Sequence, residues 1–459
     1  MEKLVHDLGI WLDSTASIIW TYMVPVLFGV GILLTFRIGF LQFRKFATSI
    51  RVTLGKEARS SSGGEGDVTP FAALATALAA TVGNGNIAGV ATALFWGGPG
   101  AIFWMWVCGL LGMATKYSEA VLGVYFRRKH PDGTMAGGPM YYIRYGLGDT
   151  KFARFLGGAF AVCGAFAALF GTGNMMQSNQ MSSAFLSEFG IPVIVTGTII
   201  TILVALVVLG GIKRIAAVTS RLVPAMIILY FIVGSVVLLH NIAGVPEAFF
   251  LIFKGAFTPM AASGGFMGAM VRQAIQFGAR RGILSNEAGL GSAPIAHAAA
   301  QTPSPVYQGL IGVAEVFIDT IVVCTFTALI LLSSGMWTSG IEGAAMTAAA
   351  FSSTIPLLGG GIIAGASFLF GYSTLIGWCY YGEQCLKYLF GLRITTLYRL
   401  VFIGLTFIGA LVSIEVVFFV GDIANAFMAL PNLIGLMLLS GLVARVTREA
   451  LAKDPVFRK

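Results

Sequence analysis

Long apolar stretches alternate along the chain with short polar connections that carry most of its charge. Crossing about 30 Å of hydrocarbon takes roughly 20 helical residues, because lipid offers the backbone no hydrogen-bond partners. Eleven stretches have that length. They run near Ser17 to Phe36, Pro70 to Trp96, Ala101 to Phe126, Phe152 to Ser187, Ile191 to Leu209 and Ile215 to Leu239. The remainder cover Phe266 to Ala300, Val306 to Ser333, Gly361 to Leu389, Tyr398 to Val417 and Ala424 to Ala444. The pattern predicts an all-α membrane protein with eleven transmembrane helices. Val245 to Phe257 and Ile341 to Ser353 are too short to span and are expected to cap the bundle as surface helices.

Composition supports the same class. With 57% hydrophobic and 11% charged residues, and a mean hydropathy of +0.85, the chain cannot be arranged as a water-soluble globule. Its 59 glycines suit helices that approach closely and break where a site is needed. Cys108, Cys163, Cys324, Cys379 and Cys385 lack metal-ligand spacing and read as small packing residues. Met1 is followed by no short apolar core with a cleavage site, so the first span is expected to direct insertion without a removable signal.

A net charge of +9 would suggest nucleic acid if it formed a surface patch, but it does not. Of the 29 basic residues, 23 fall in five segments: Arg37 to Arg59, Arg127 to Arg154, Lys213 to Arg221, Lys387 to Arg399 and Arg445 to Lys459. All five lie on one side if eleven spans alternate. The positive-inside rule then predicts a multi-pass cell-membrane protein, N-terminus outside and C-terminus cytoplasmic. Its surroundings are the lipid bilayer, with no nucleic-acid partner.

The second and seventh stretches are each interrupted by a polar, glycine-rich run, Thr81-Val-Gly-Asn-Gly-Asn86 and Gly282-Ile-Leu-Ser-Asn-Glu-Ala-Gly-Leu-Gly291. Five spans apart, the two cross in opposite directions, as in an inverted repeat with its site at the bilayer midplane. Unwinding frees N–H groups that suit a carboxylate and carbonyls that suit a small cation. Glu287, costly at depth, suits an amine or pairs with Arg280 or Arg281. Glycines alone would also serve tight packing; two polar breaks in register favour a site.

These residues carry a resemblance. Thr81 to Val90 and Ser285 to Ala296, with Gly137 to Ile143, Gly173 to Asn179 and Gly377 to Glu383, resemble the alanine or glycine:cation symporter family over nearly the whole chain. The resemblance implies a leucine-transporter-type fold: a 5+5 inverted repeat preceded by one extra N-terminal helix. It implies that Asn84 and Gly85 hold a substrate carboxylate, Thr81 and Ser285 receive the amine near Glu287, and Gln177 faces the cavity. Trp378 with Ile283 or Leu284 would wall a small side chain. Sodium, the coupling ion, would sit between carbonyls of Ala79 and Val82 and hydroxyls of Ser373 and Thr374. Asn86 either coordinates a second ion or braces the turn. Asn84 stands where a threonine is usual in the family, which points toward a more polar substrate such as serine or glutamine.

Other charged residues pair by spacing. Lys116 and Glu119 share one helix face, as do Glu315 and Asp319, which need a partner such as Arg272, or protonation. Tyr380 and Tyr381 read as an interface belt or as cavity residues. The four histidines are scattered, no HExxH or GxSxG motif stands in a fitting context, and no filter repeat suggests a channel; catalysis is not expected. The expected protein is a sodium-coupled importer of alanine, glycine or a similar small neutral amino acid, with proton coupling, or serine or glutamine as substrate, as the alternatives. Its parts are 1–60 (extra helix and amphipathic segment), 61–240 (first repeat), 241–445 (inverted repeat) and 446–459 (tail).

Overall fold

The computed structural model describes residues 2–60, 64–258, 271–412, 414–453 and 457. Helix α1 (Glu2–Arg37) leads to short helices at the basic end, and α2 (Pro70–Thr81) and α3 (Ala88–Gly97) form a broken pair. There follow α4 (Gly100–Tyr125), α5 (Lys151–Phe170), α6 (Met175–Phe189), α7 (Val193–Val208), α8 (Gly211–His240) and α9 (Val245–Phe257). The second half holds α10 (Val271–Asn286), α11 (Ala293–Ala298), α12 (Pro305–Ser333, one span by continuity), α13 (Ala344–Thr354), α14 (Gly359–Phe390), α15 (Thr395–Leu411) and α16 (Ile414–Lys453). A two-residue hairpin at Arg128–Lys129 and Met135–Ala136 is the one sheet among the described residues.

Seven described helices are long and apolar enough to cross a membrane, and the pair α2–α3, bent by 57°, makes eight. Three further stretches of the predicted eleven fall short of those criteria. Helix α4 buries Lys116 and Glu119, α7 has 16 residues, and the Phe266 to Ala300 stretch lies partly outside the described residues. Helices α9 and α13 form where capping segments were expected, and α9 exposes Phe249, Phe250, Phe253 and Phe257.

Helix starts follow local rules. Thr69 caps α2 by accepting the Ala72 N–H at 3.2 Å, with Pro70 in the first turn where its missing N–H costs nothing; Thr150 caps α5 in the same way. The breaks differ from expectation in two respects. Gly282 to Asn286 is helical, and the second break comes at Glu287 to Ser292, where Glu287, Gly289 and Gly291 take φ of +55°, +92° and +84°. A side chain is strained there, so Glu287 is held by its surroundings and the glycines are required. Also, the stretch Phe152 to Ser187 is two helices separated by Gly171–Asn174, where Gly173 lies against Trp378 with no room for a Cβ.

Buried charges are paired between helices. Lys116 pairs with Glu315 at 3.2 Å, and Glu315 also meets His297 Nε2 at 2.8 Å, all three fully buried. Glu119 instead accepts from Gly289 N–H (3.1 Å) and Asn432 (2.6 Å), so spacing along one helix did not choose the partner, and the two carboxylates of α12 are held by Lys116, His297, Asn86, Ser285 and Thr320 in place of Arg272. Tyr380 and Tyr381 are buried at 2% and 1% exposure, which excludes an interface belt. All five cysteines are free.

Candidate functional site

The two breaks meet. In the first, a 3-10 turn at Asn84–Asn86 lies between α2 and α3, and Asn86 Oδ1 accepts the Gly83 N–H at 2.9 Å, satisfying a donor that unwinding had freed. Asn86 Nδ2 donates to Asp319 Oδ1 at 2.7 Å and to Ser285 Oγ at 3.1 Å. Asp319 is itself held by the hydroxyls of Ser285 and Thr320, each at 2.8 Å. A π-helical stretch, Phe317–Cys324 within α12, carries Asp319 at this point; such wide turns often aim side chains at sites. In this structure Asn86 therefore braces the turn and ties the first break to α10 and α12.

Between the breaks lies a cavity of about 50 Å³, lined by Thr81, Gly85, Gln177, Ser285, Glu287 and Trp378 among others. Glu287 accepts the Trp378 indole N–H at 2.9 Å and the Ser292 hydroxyl on its other oxygen. Leu284 lines the cavity; Ile283, buried at 2% exposure, lines neither this cavity nor the vestibule beyond it. Thr172, in the unexpected break of the Phe152 to Ser187 stretch, and Met176, in the first turn of α6, line it too.

Asn84 does not line that cavity. It faces a vestibule of about 720 Å³ with Ala88, Trp96, Arg280, Glu342 and Ser367, at the end of the bundle away from Lys387 and the other basic segments. Its amide is engaged on both sides: Ser367 donates to Oδ1 at 2.7 Å, and Nδ2 donates to Gln177 Oε1 at 3.2 Å. Gln177 in turn donates to the Thr172 carbonyl at 3.1 Å.

The expected cation ligands are partly gathered. Ser373 Oγ lies 3.2 Å from the Ala79 carbonyl, to which it donates, and Thr374 Oγ1 reaches the Phe370 carbonyl at 3.0 Å while lining the cavity. Val82 is fully buried one turn beyond Ala79. Carbonyl and hydroxyl oxygens are hard donors that suit an alkali cation.

At the far end of α2 from the cavity two segments of the chain are joined. Val68 pairs in parallel with Ala300, Gln301 N–H donates to the Val68 carbonyl at 2.7 Å, and Arg127 donates to the Ala300 carbonyl at 2.6 Å. The segments entering α2 and leaving α11 are thereby joined.

Two breaks around one small polar cavity, with backbone and hydroxyl oxygens beside it, match the pattern whose sequence spans the chain: the sodium:alanine symporter family matches residues 5–455. The chain belongs to the sodium:alanine symporter family. Within it, the chain is 47% identical over 442 residues to the sodium/alanine symporter AgcS of Methanococcus maripaludis, covering 95% of this chain and 96% of that one. It is 38% identical to the probable sodium/glutamine symporter GlnT of Bacillus subtilis, over 100% of this chain and 94% of the relative. Among solved structures, a manganese transporter of Eremococcus coleocola is similar in fold, with a TM-score of 0.51 at 17% identity over 83% of this chain and 76% of that one. The family and these relatives are transporters, so this symporter-family member is a multi-pass membrane transporter and not an enzyme.

Sequence reading missed Ser367, Thr172 and the bracing role of Asp319 in this family member. Asp319 carried a signal, a carboxylate inside an apolar span. Ser367 carried none, since hydroxyls in such helices commonly bond their own backbone.

Proposed function

We propose that this chain is a sodium-coupled symporter that imports a small neutral amino acid, alanine or glycine first, by alternating access around the two breaks. In this reading eleven crossings form a 5+5 inverted repeat after one extra helix, with the N-terminus and the vestibule outside and the basic segments in the cytoplasm. The observation that carries the proposal is the cavity of about 50 Å³ at the meeting of the breaks, bounded by Thr81, Gly85, Gln177, Ser285, Glu287 and Trp378. Its polar groups suit a zwitterion: the unwound backbone at Gly85 offers N–H groups to a carboxylate, and Glu287 with the Ser285 hydroxyl offers acceptors to an ammonium. Its size supports a small side chain against glutamine. Sodium would be held by the carbonyls of Ala79 and Val82 with Ser373 and Thr374, neutralising charge beside the carboxylate so that each ligand favours the other.

Uptake of radiolabelled alanine into proteoliposomes tests this. The expected result is accumulation that requires an inward sodium gradient and is competed by glycine and weakly by glutamine. Uptake driven by a proton gradient without sodium would overturn the coupling assignment, and glutamine outcompeting alanine would overturn the size argument.

A further inference from the structure

An ion pair joins the lining of the vestibule to the lining of the inner cavity. Arg280 on α10 lines the vestibule, Asp422 on α16 lines the inner cavity, and the two side chains are joined, at 4% and 1% exposure. The pair is incompletely satisfied: Arg280 Nε and Asp422 Oδ1 are buried without a hydrogen-bond partner. A buried pair left short of partners is held against its own desolvation penalty by whatever surrounds it, and parts readily once water reaches it.

What surrounds it comes from α1. Trp20, fully buried, donates its indole N–H to the Asp422 carbonyl at 3.2 Å and sets its ring beneath Arg280, whose Cζ lies 5.8 Å from the ring centroid. A guanidinium on an indole face is attracted by the ring quadrupole, more strongly where water is excluded. The next residue, Thr21, accepts from Gln276, one turn before Arg280 on α10, at 3.2 Å, and Ser17 lines the vestibule itself. One tryptophan thus touches both halves of the pair, from two different helices, by two different interactions.

We propose that α1 is a latch on the passage from the vestibule to the inner cavity and that Trp20 is its positioning residue: it holds Arg280 against Asp422 and so keeps that passage shut. The proposal deepens the transport reading and rests on it for the direction of solute movement. The latch itself is read without any solute. When the passage opens, α10 and α16 separate at the pair, and Trp20 either follows Asp422 through its hydrogen bond or releases it. The helix that precedes the repeat is then a working part of the outer closure.

The test labels a cysteine introduced at Thr172, which lines the inner cavity, with a membrane-impermeant maleimide applied from the vestibule side, against the background of the native cysteines. In the full chain reconstituted without amino acid, Trp20→Ala should raise the labelling rate by about tenfold, the shift expected when one cation–π contact and one hydrogen bond leave one side of a two-state equilibrium. Trp20→Phe, which keeps the ring and loses the donor, should fall between Trp20→Ala and wild type. In an Asp422→Asn background, where the pair is already weakened, Trp20→Ala should add little. Unchanged labelling in both Trp20 variants, or a Trp20→Ala effect of full size in the Asp422→Asn background, would overturn the latch. If Trp20→Ala does not yield folded protein, Trp20→Phe decides alone. Labelling that shifts as expected while alanine uptake fails would leave the latch standing and remove the substrate assignment.

Discussion

At the residue scale the site consists of oxygens already engaged with one another. Ser373 donates to the very carbonyl, Ala79, with which it would share a cation. Removing that hydroxyl takes away one ligand, together with its local bond to the Phe370 carbonyl at 2.8 Å, and leaves the backbone hydrogen bonds of the helix in place. Ser373→Ala is expected to raise the sodium concentration for half-maximal uptake by about tenfold, the change of one hydrogen-bond-sized interaction of ~1.4 kcal/mol; sodium titration of alanine uptake measures it. Asn84 is in the opposite position, spanning vestibule and cavity through Ser367 and Gln177. Ser367→Ala frees the Asn84 carbonyl and should change the alanine KM more than the sodium requirement. Equal changes in both would place Ser367 in the ion site instead. Candidate residues such as Gln177, Ser285 and Glu287 were readable from their motifs because a polar residue within an apolar span is conspicuous. Ile283 and Leu284 were not separable, since adjacent residues on a helix point some 100° apart and only the phase of the helix decides which one lines the cavity.

At the element scale, the breaks are fixed by backbone conformation. Gly289 at φ +92° faces Leu27 of α1, and a Cβ there meets both an unfavourable backbone region and a packed side chain. Gly289→Ala is expected to destabilise the protein by about 1–3 kcal/mol, the range for a residue forced into a sparsely populated conformation, visible as a lower thermal midpoint in detergent. The buried Lys116–Glu315–His297 cluster ties α4 to α12 and to the segment after the second break. Lys116→Met leaves Glu315 with His297 but without its cation and should cost about 3–5 kcal/mol. Adding Glu315→Gln should recover part of that loss; no recovery would show that Lys116 stabilises through packing of its stem.

At the scale of the whole molecule, the segments entering α2 and leaving α11 are joined by the Val68–Ala300 pairing, and the cavity and the vestibule meet at Gly85, Gly89, Met176 and Arg281. Alternating access requires that pairing to part. Cysteines at Val68 and Ala300, cross-linked by an oxidant, are expected to abolish uptake, with recovery on adding reductant; full uptake in the cross-linked protein would show that the pairing does not move in the cycle.

The sequence by itself determined that this is a helical membrane protein, where most of its long apolar helices lie, that the chain is interrupted after Thr81 and near Glu287, and which family it joins. Each of these follows from local causes: lipid forbids unsatisfied backbone, glycine and polar residues mark the places where a helix cannot continue, and motifs are contiguous. Tertiary structure alone decided the partners. Lys116 chose Glu315 over the nearer Glu119, Asp422 found Arg280 and Trp20, and Gly173, in a third irregular segment, found Trp378. Such choices depend on which surfaces meet across hundreds of residues, and burial makes the cost of a wrong partner large enough that packing geometry, not proximity along the chain, settles them.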